Sequence, residues 1–228
     1  MVSAIVGMLP LGLGIALNPI AIVVSILIVR RPDPRRNAIA FVAAWVLGLA
    51  LLVVVSAWIL PNLAGVRRDP PPALYSWVWA GVGIVLLLGA ARARRDRLEP
   101  GKPTEARRWT GILSQGGIIH VFAIGLFLSM VSLRNLALLA AAAAQVGQAG
   151  LALLETAITI AVFVAASALG VALPLVVRLV GGPRADALLE RWSDWLNLHL
   201  GTMTAVVLAA LGLYLLGRGI GTLVPGAL

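Results

Sequence analysis

An arginine, Arg134, stands in a stretch that is otherwise almost wholly apolar from Gly111 to Ala144, and Asn135 follows it. A guanidinium in hydrocarbon costs a few kcal/mol or more unless it is paired or hydrated, so a residue of this type at this place needs a reason. Its fork of donors suits a sulfate, phosphate or carboxylate. The plain alternative is a helix that ends there and lets the side chain snorkel to water. A second polar pair, Asn18-Pro19, interrupts the first apolar stretch, residues 2–29. Proline lacks an N–H and its ring collides with the carbonyl four residues earlier, here Ile15, so the helix is expected to kink or break. In lipid every backbone group freed by a break needs an internal partner, which makes the break a candidate polar site beside the Asn18 amide. A packing kink is the plain alternative here. Asn18, Pro19, Arg134 and Asn135 are the candidate substrate-binding residues.

Two further titratable groups fall in apolar stretches. Glu155 can pair with Arg134 or carry a coupling proton, or it can face headgroup water at a helix end. His120 can relay a proton, or simply bond a neighbouring carbonyl. Two histidines and no cysteine leave no expected metal site, disulfide or thiol relay, and no cofactor is implied. No nucleophile, base and acid occur in a recognisable constellation, so an enzyme is not expected.

The elements that carry these residues follow from hydropathy. Of 228 residues 61% are hydrophobic and 12% charged, and mean hydropathy is +1.00. Several runs exceed the roughly 20 apolar residues that cross a bilayer, which predicts an all-α integral membrane protein with six transmembrane helices. The predicted spans are 2–29, 38–60, 73–91, 111–144, 151–180 and 200–217. Span four would be about 50 Å long as one helix, so a break is expected at Ser129 to Asn135. Pro174 is expected to interrupt span five. Residues 92–110, with seven basic and three acidic side chains, read as a cytoplasmic basic connector between residues 1–91 and 111–228. Residues 184–199 place Leu188, Trp192, Trp195, Leu196 and His199 at helical spacing, an amphipathic helix suited to the interface. Six of the seven tryptophans, all but Trp45, fall near predicted span ends as an aromatic belt.

Net charge is +9, but the arginines lie between apolar spans, where they set topology and touch anionic headgroups; nucleic acid is not an expected partner. The loops after spans one, three and five hold four, seven and three Lys or Arg, the last count including Arg178 at the end of span five. Those after spans two and four hold two and none, and the C-terminus one. The positive-inside rule therefore puts both termini outside the cytoplasm. The Ala137–Ala144 run and Gly217-Arg218-Gly219-Ile220-Gly221 offer small faces for helix packing, within the chain or in a homodimer.

The halves resemble each other. Phe41 to Gly48 matches Phe163 to Gly170 at six of eight positions, and Leu17-Asn18-Pro19 to Ile22 aligns with Leu133-Arg134-Asn135 to Leu138. A weaker pair sets Gly83 to Gly89 against Gly212 to Gly217. Three spans per copy is odd, so the second copy enters from the opposite face. Two inverted three-helix repeats are then expected, with broken helices one and four meeting near the midplane.

The pattern Ala16-Leu17-Asn18-Pro19, the Arg-rich turn to Asn37, then Phe41 through Trp45 and Gly48, resembles the GAP/Sap family of glycopeptidolipid- and sulfolipid-addressing proteins. These are six-span members of the lysine exporter (LysE) superfamily, associated with glycolipid export to the envelope of mycobacteria and relatives. The resemblance implies a bacterial cytoplasmic membrane protein that helps translocate a lipid or glycolipid. Two other readings share the sequence: an exporter of a small amino acid or cation on the same fold, and a non-transporting accessory protein of a larger lipid exporter.

Overall fold

The computed structural model describes residues 2–63, 72–96, 105–113 and 116–223. The loop with Arg67 and Arg68 and the centre of the basic connector, 97–104, lie outside the described residues. Among the described residues all regular structure is helical: α1 (Val2–Ala16), α2 (Pro19–Val29), α3 (Pro34–Leu63), α4 (Pro72–Asp96), α5 (Glu105–Leu113), α6 (Ile118–Met130), α7 (Leu133–Gln148), α8 (Leu153–Gly181) and α9 (Ala185–Leu223). A 3-10 turn, Gly182–Arg184, joins the last two. Helices α3, α4, α8 and α9 are each long and apolar enough to cross a membrane. The spans number six if each of two bent pairs is one: α1 with α2, meeting at 59°, and α6 with α7, at 61°. Leu153, Leu169, Val180 and Leu213 stand exposed on the outer surface. Apolar side chains facing out, with backbone bonds closed inside helices, are what a lipid solvent requires. The chain is a multi-pass membrane protein.

The pairing of helices is crosswise between the halves. Helix α1 packs on α8 and α6 on α3; α2 packs on α8 and α7 on α3; α2 packs on α9 and α7 on α4; α4 and α9 run along each other. Small residues make these approaches close. A Cβ on Gly12 would lie 3.2 Å from both the Phe163 carbonyl oxygen and Ala166 Cβ. One on Gly125 would lie 2.8 Å from the Phe41 carbonyl oxygen and 3.0 Å from Ala44 Cβ. At the crossing of α4 and α9, a Cβ on Gly83 would meet the Leu216 nitrogen at 2.7 Å and the Gly212 oxygen at 2.8 Å. The buried centre collects Phe41, Trp45, Phe163, Ile15, Ile26 and Leu138.

Three sequence expectations are corrected. Residues 184–199 are not an element separate from span six: α9 is continuous over 39 residues, about 58 Å, and the polar turns are its first part. Helical hydrogen bonding is indifferent to the change from amphipathic to apolar composition, and neither proline nor a break separates the two parts. Its buried stripe there is Leu189, Ser193 and Leu196, while Leu188 and Trp195 are exposed. Pro174 does not interrupt α8, which runs through it with the proline ring buried in packing. Trp79 is not a belt residue but is buried, with the Arg218 guanidinium 3.8 Å above its ring.

Arginines of the turn after α2 tie one end of the bundle together. Arg31 donates to the Leu113 and Gly116 carbonyls, holding the end of α5 to the approach of α6. Arg30 meets Glu190 of α9 at 3.2 Å. Asp33 takes a left-handed conformation (φ 54°), one that aspartate tolerates better than most side chains, and Asn37 Nδ2 donates to the Pro32 carbonyl at 2.7 Å. The short helix α5 packs beneath α2 and α9. It escaped the sequence reading although Ala106, Trp109 and Leu113 follow helical spacing, because it is embedded in a charged segment with irregular periodicity.

Candidate functional site

Both bent pairs turn at a helix start. Asn18, in extended conformation, caps α2: its Oδ1 accepts from the Ala21 N–H at 3.4 Å, and Pro19 occupies the first turn, where no N–H is missed. Ser132 caps α7 in the same way, its Oγ accepting from the Asn135 N–H at 3.4 Å. The preceding halves, α1 and α6, end against these starts, so each break takes backbone groups out of regular helical hydrogen bonding. The capping residues are Asn18 and Ser132; Ser132 lies two residues before Arg134, the residue that the sequence alignment paired with Asn18.

A cavity of about 290 Å³ lies between the two turns, lined by Asn18, Ile20, Phe127, Leu128, Val131, Ser132, Arg134, Thr204 and Leu208. Two of the four candidate binding residues thus reach it. Arg134 has one terminal nitrogen buried with no partner. The start of α2 and the start of α7 both border the cavity, so two positive helix ends and one guanidinium favour an anion there. Asn135 is fully buried behind it. Its Nδ2 donates to the Ser129 carbonyl at 3.1 Å and the Leu128 carbonyl at 3.4 Å, fastening the end of α6 to the start of α7, and its Oδ1 has no partner. Pro19 is buried and does not line the cavity.

Glu155 and His120 lie apart from this cavity. The Glu155 carboxylate accepts from the Ala152 N–H at 3.3 Å and so caps its own helix, α8; no ion pair joins it to Arg134. His120 is exposed, with Nε2 at 3.2 Å from the Ile112 carbonyl. Among the described residues no three His, Asp or Glu side chains gather where they could hold a metal ion. A wider, open depression of about 810 Å³ lies at the starts of α3 and α6, with Arg35 and Arg36 on its wall. Its larger volume is surface concavity; the smaller cavity at Arg134 is the more sheltered of the two. Thr204 was missed from sequence because a lone threonine in an apolar run carries no periodic signal.

Bent helix pairs with apolar outer faces, and at their turns a mostly apolar cavity carrying a few polar groups, define an all-helical, multi-pass membrane protein. The chain belongs to the family described as Sap, sulfolipid-1-addressing protein, which it matches over residues 8–221. That range takes in both turns, the cavity and every helix that borders it. No curated protein and no solved structure matches it. Membership associates the chain with lipid export or addressing.

Proposed function

We propose that this protein carries the headgroup of an anionic, sugar-bearing lipid across the bacterial cytoplasmic membrane, with the cavity between the bent helices as its binding site. The observation that carries the reading is Arg134: a buried guanidinium with an unpartnered nitrogen on the wall of a cavity bordered by two helix starts. A cavity of about 290 Å³ holds a charged group and roughly one sugar ring, not acyl chains as well. The chains remain in lipid, beside Phe127 and Val131, which are exposed at the cavity's edge. Asn18 and Thr204 offer hydrogen bonds to the headgroup, while Pro19 and Asn135 hold the two turns in shape.

The two halves act as inverted three-helix repeats in this reading, α1–α2, α3 and α4 against α6–α7, α8 and α9. Exchange of the halves turns α1·α8 into α6·α3, α2·α8 into α7·α3, and α2·α9 into α7·α4, all of which are packed pairs. It also turns Gly12 against Phe163 and Ala166 into Gly125 against Phe41 and Ala44. Arg134 then takes the place of Ile20, so only one repeat carries the charge. The half-helices of 15 and 11 residues, and of 13 and 16, put both turns near the middle of a hydrocarbon core of about 30 Å. The end of the bundle carrying Arg30, Arg31 and α5 faces the cytoplasm, and both termini lie outside. Arg35 and Arg36 meet anionic headgroups at that surface.

The guanidinium disfavours a cation as cargo by direct repulsion. The test is reconstitution in liposomes, following leaflet exchange of a fluorescent phosphatidylglycerol beside lysine uptake. Phosphatidylglycerol exchange well above that of protein-free vesicles, with no lysine flux, is the expected result. Lysine flux without lipid exchange would replace this reading with an amino-acid exporter. Neither flux, together with co-purification of a larger exporter, would replace it with an accessory role.

A further inference from the structure

A second group of buried polar side chains lies toward the other end of α7. Gln145, the thirteenth residue of that helix, is 8% exposed and its Oε1 has no partner. Trp79 of α4 is 2% exposed and its indole N–H has none either. The Arg218 guanidinium of α9 lies over the Trp79 ring and donates to the Tyr214 hydroxyl at 3.3 Å. Gly7 of α1 lets the first and last of these converge: a Cβ there would stand 2.5 Å from Gln145 Nε2 and 3.3 Å from an Arg218 Nη. Four helices therefore bring one acceptor, one donor and one cation to the same place.

Gln145 and Arg134 share a face of α7. Eleven residues turn a helix by about 1,100°, within about 20° of whole turns, and advance it by about 16 Å. Between them on that face lie Leu138 and Ala141, both fully buried. Leu138 and Leu211 close over Gly14, where a Cβ would lie 3.3 Å from the first and 2.5 Å from the second. The two polar places are thus separated by an apolar plug made of flexible leucine ends rather than backbone.

We propose that Gln145, Trp79 and Arg218 form a second station for a hydroxylated, anionic headgroup, which it occupies after leaving Arg134 past the Leu138–Leu211 plug. The Gln145 carbonyl accepts from a headgroup hydroxyl, the Trp79 N–H donates to a headgroup oxygen, and Arg218 supplies charge. Each buried atom without a partner here gains one there, which is the usual fate of such groups. This inference rests on the transport reading given above.

The test compares two labelled lipids in proteoliposomes: phosphatidylglycerol, whose headgroup carries free hydroxyls, and phosphatidylmethanol, which has the same charge and none. Stabilisation of the purified protein by short-chain phosphatidylglycerol reports binding at Arg134. Gln145→Met is expected to slow phosphatidylglycerol exchange about tenfold, to leave phosphatidylmethanol exchange at the wild-type rate, and to leave the stabilisation unchanged. Arg218→Gln is expected to slow both lipids with the stabilisation intact, and it reads the station if Gln145→Met does not fold. Arg134→Met should lose exchange and stabilisation together. Wild-type exchange in both Gln145→Met and Arg218→Gln, with Arg134→Met inactive, would overturn the station and leave the transport reading standing. Equal slowing of both lipids by Gln145→Met would mean that the residue acts only in packing and would also overturn it. No exchange by the wild-type protein would remove the transport reading itself.

Discussion

Arg134→Met is expected to unfold at a higher temperature than the wild-type protein and to exchange lipid roughly tenfold to a hundredfold more slowly. The terminal nitrogen of Arg134 that is buried without a partner carries a desolvation cost in the resting protein. Methionine is nearly as long, fills the same space and removes the charge, so the empty protein should gain about 1 kcal/mol or more. The same change removes the one charged donor that the cavity wall has among the described residues. Hydrogen bonds from a charged donor are worth about 1.5–3 kcal/mol, so lipid exchange should fall by roughly tenfold to a hundredfold. Arg134→Lys keeps the charge but not the planar fork, and its exchange rate should lie between the two. Melting in detergent and leaflet exchange in vesicles check the pair of effects. A destabilised Arg134→Met protein would mean that the arginine is structural, because a group kept for function is the one whose removal relieves cost.

The second large effect is at the crossing of α4 and α9. Gly83→Ala and Gly212→Ala should each destabilise by about 2 kcal/mol or more. The atoms that a Gly83 Cβ would meet, at 2.7 and 2.8 Å, belong to backbone and cannot swing aside, so the helices themselves must separate. A Cβ on Gly212 would likewise stand 2.9 Å from the Gly83 carbonyl oxygen. Small residues at such crossings replace the hydrophobic drive that lipid does not supply. Gly81→Ala is the internal control: nothing lies within 4 Å of its Cβ, and higher helix propensity should leave it neutral or slightly stabilised. Thermal unfolding of the three variants in one detergent measures the contrast.

The features set by local covalent chemistry were legible in the sequence. Proline at position 19 after an asparagine forces a helix start, and α2 begins there, capped by Asn18. The turn between Met130 and Leu133 falls inside the stretch whose length demanded a break. The glycines of the weak third match, Gly83 and Gly212, turn out to touch each other. What hid was decided by tertiary packing. A change of composition near residue 200 looked like an element boundary, yet α9 continues through it. Helix α5 has its apolar residues at helical spacing, but it is nine residues long inside a charged segment whose wider periodicity is irregular. The alignment that set Asn18 against Arg134 followed residue identity, whereas the helix starts are fixed by the caps at Asn18 and Ser132. Of the lining of the candidate cavity, part was legible. Arg134 and Asn18 announce themselves as polar groups in apolar runs, while Thr204, Gln145 and Trp79 gain meaning only from the neighbours that the bundle gives them.

The most direct test of the headgroup site is a photo-reactive side chain placed at Thr204, on the α9 wall of the cavity, in vesicles containing phosphatidylglycerol or phosphatidylcholine. Cross-linking to phosphatidylglycerol in clear excess over phosphatidylcholine, abolished by Arg134→Met, is the result expected if an anionic headgroup enters beside the guanidinium. Equal labelling by both lipids, or labelling that persists in Arg134→Met, would contradict it.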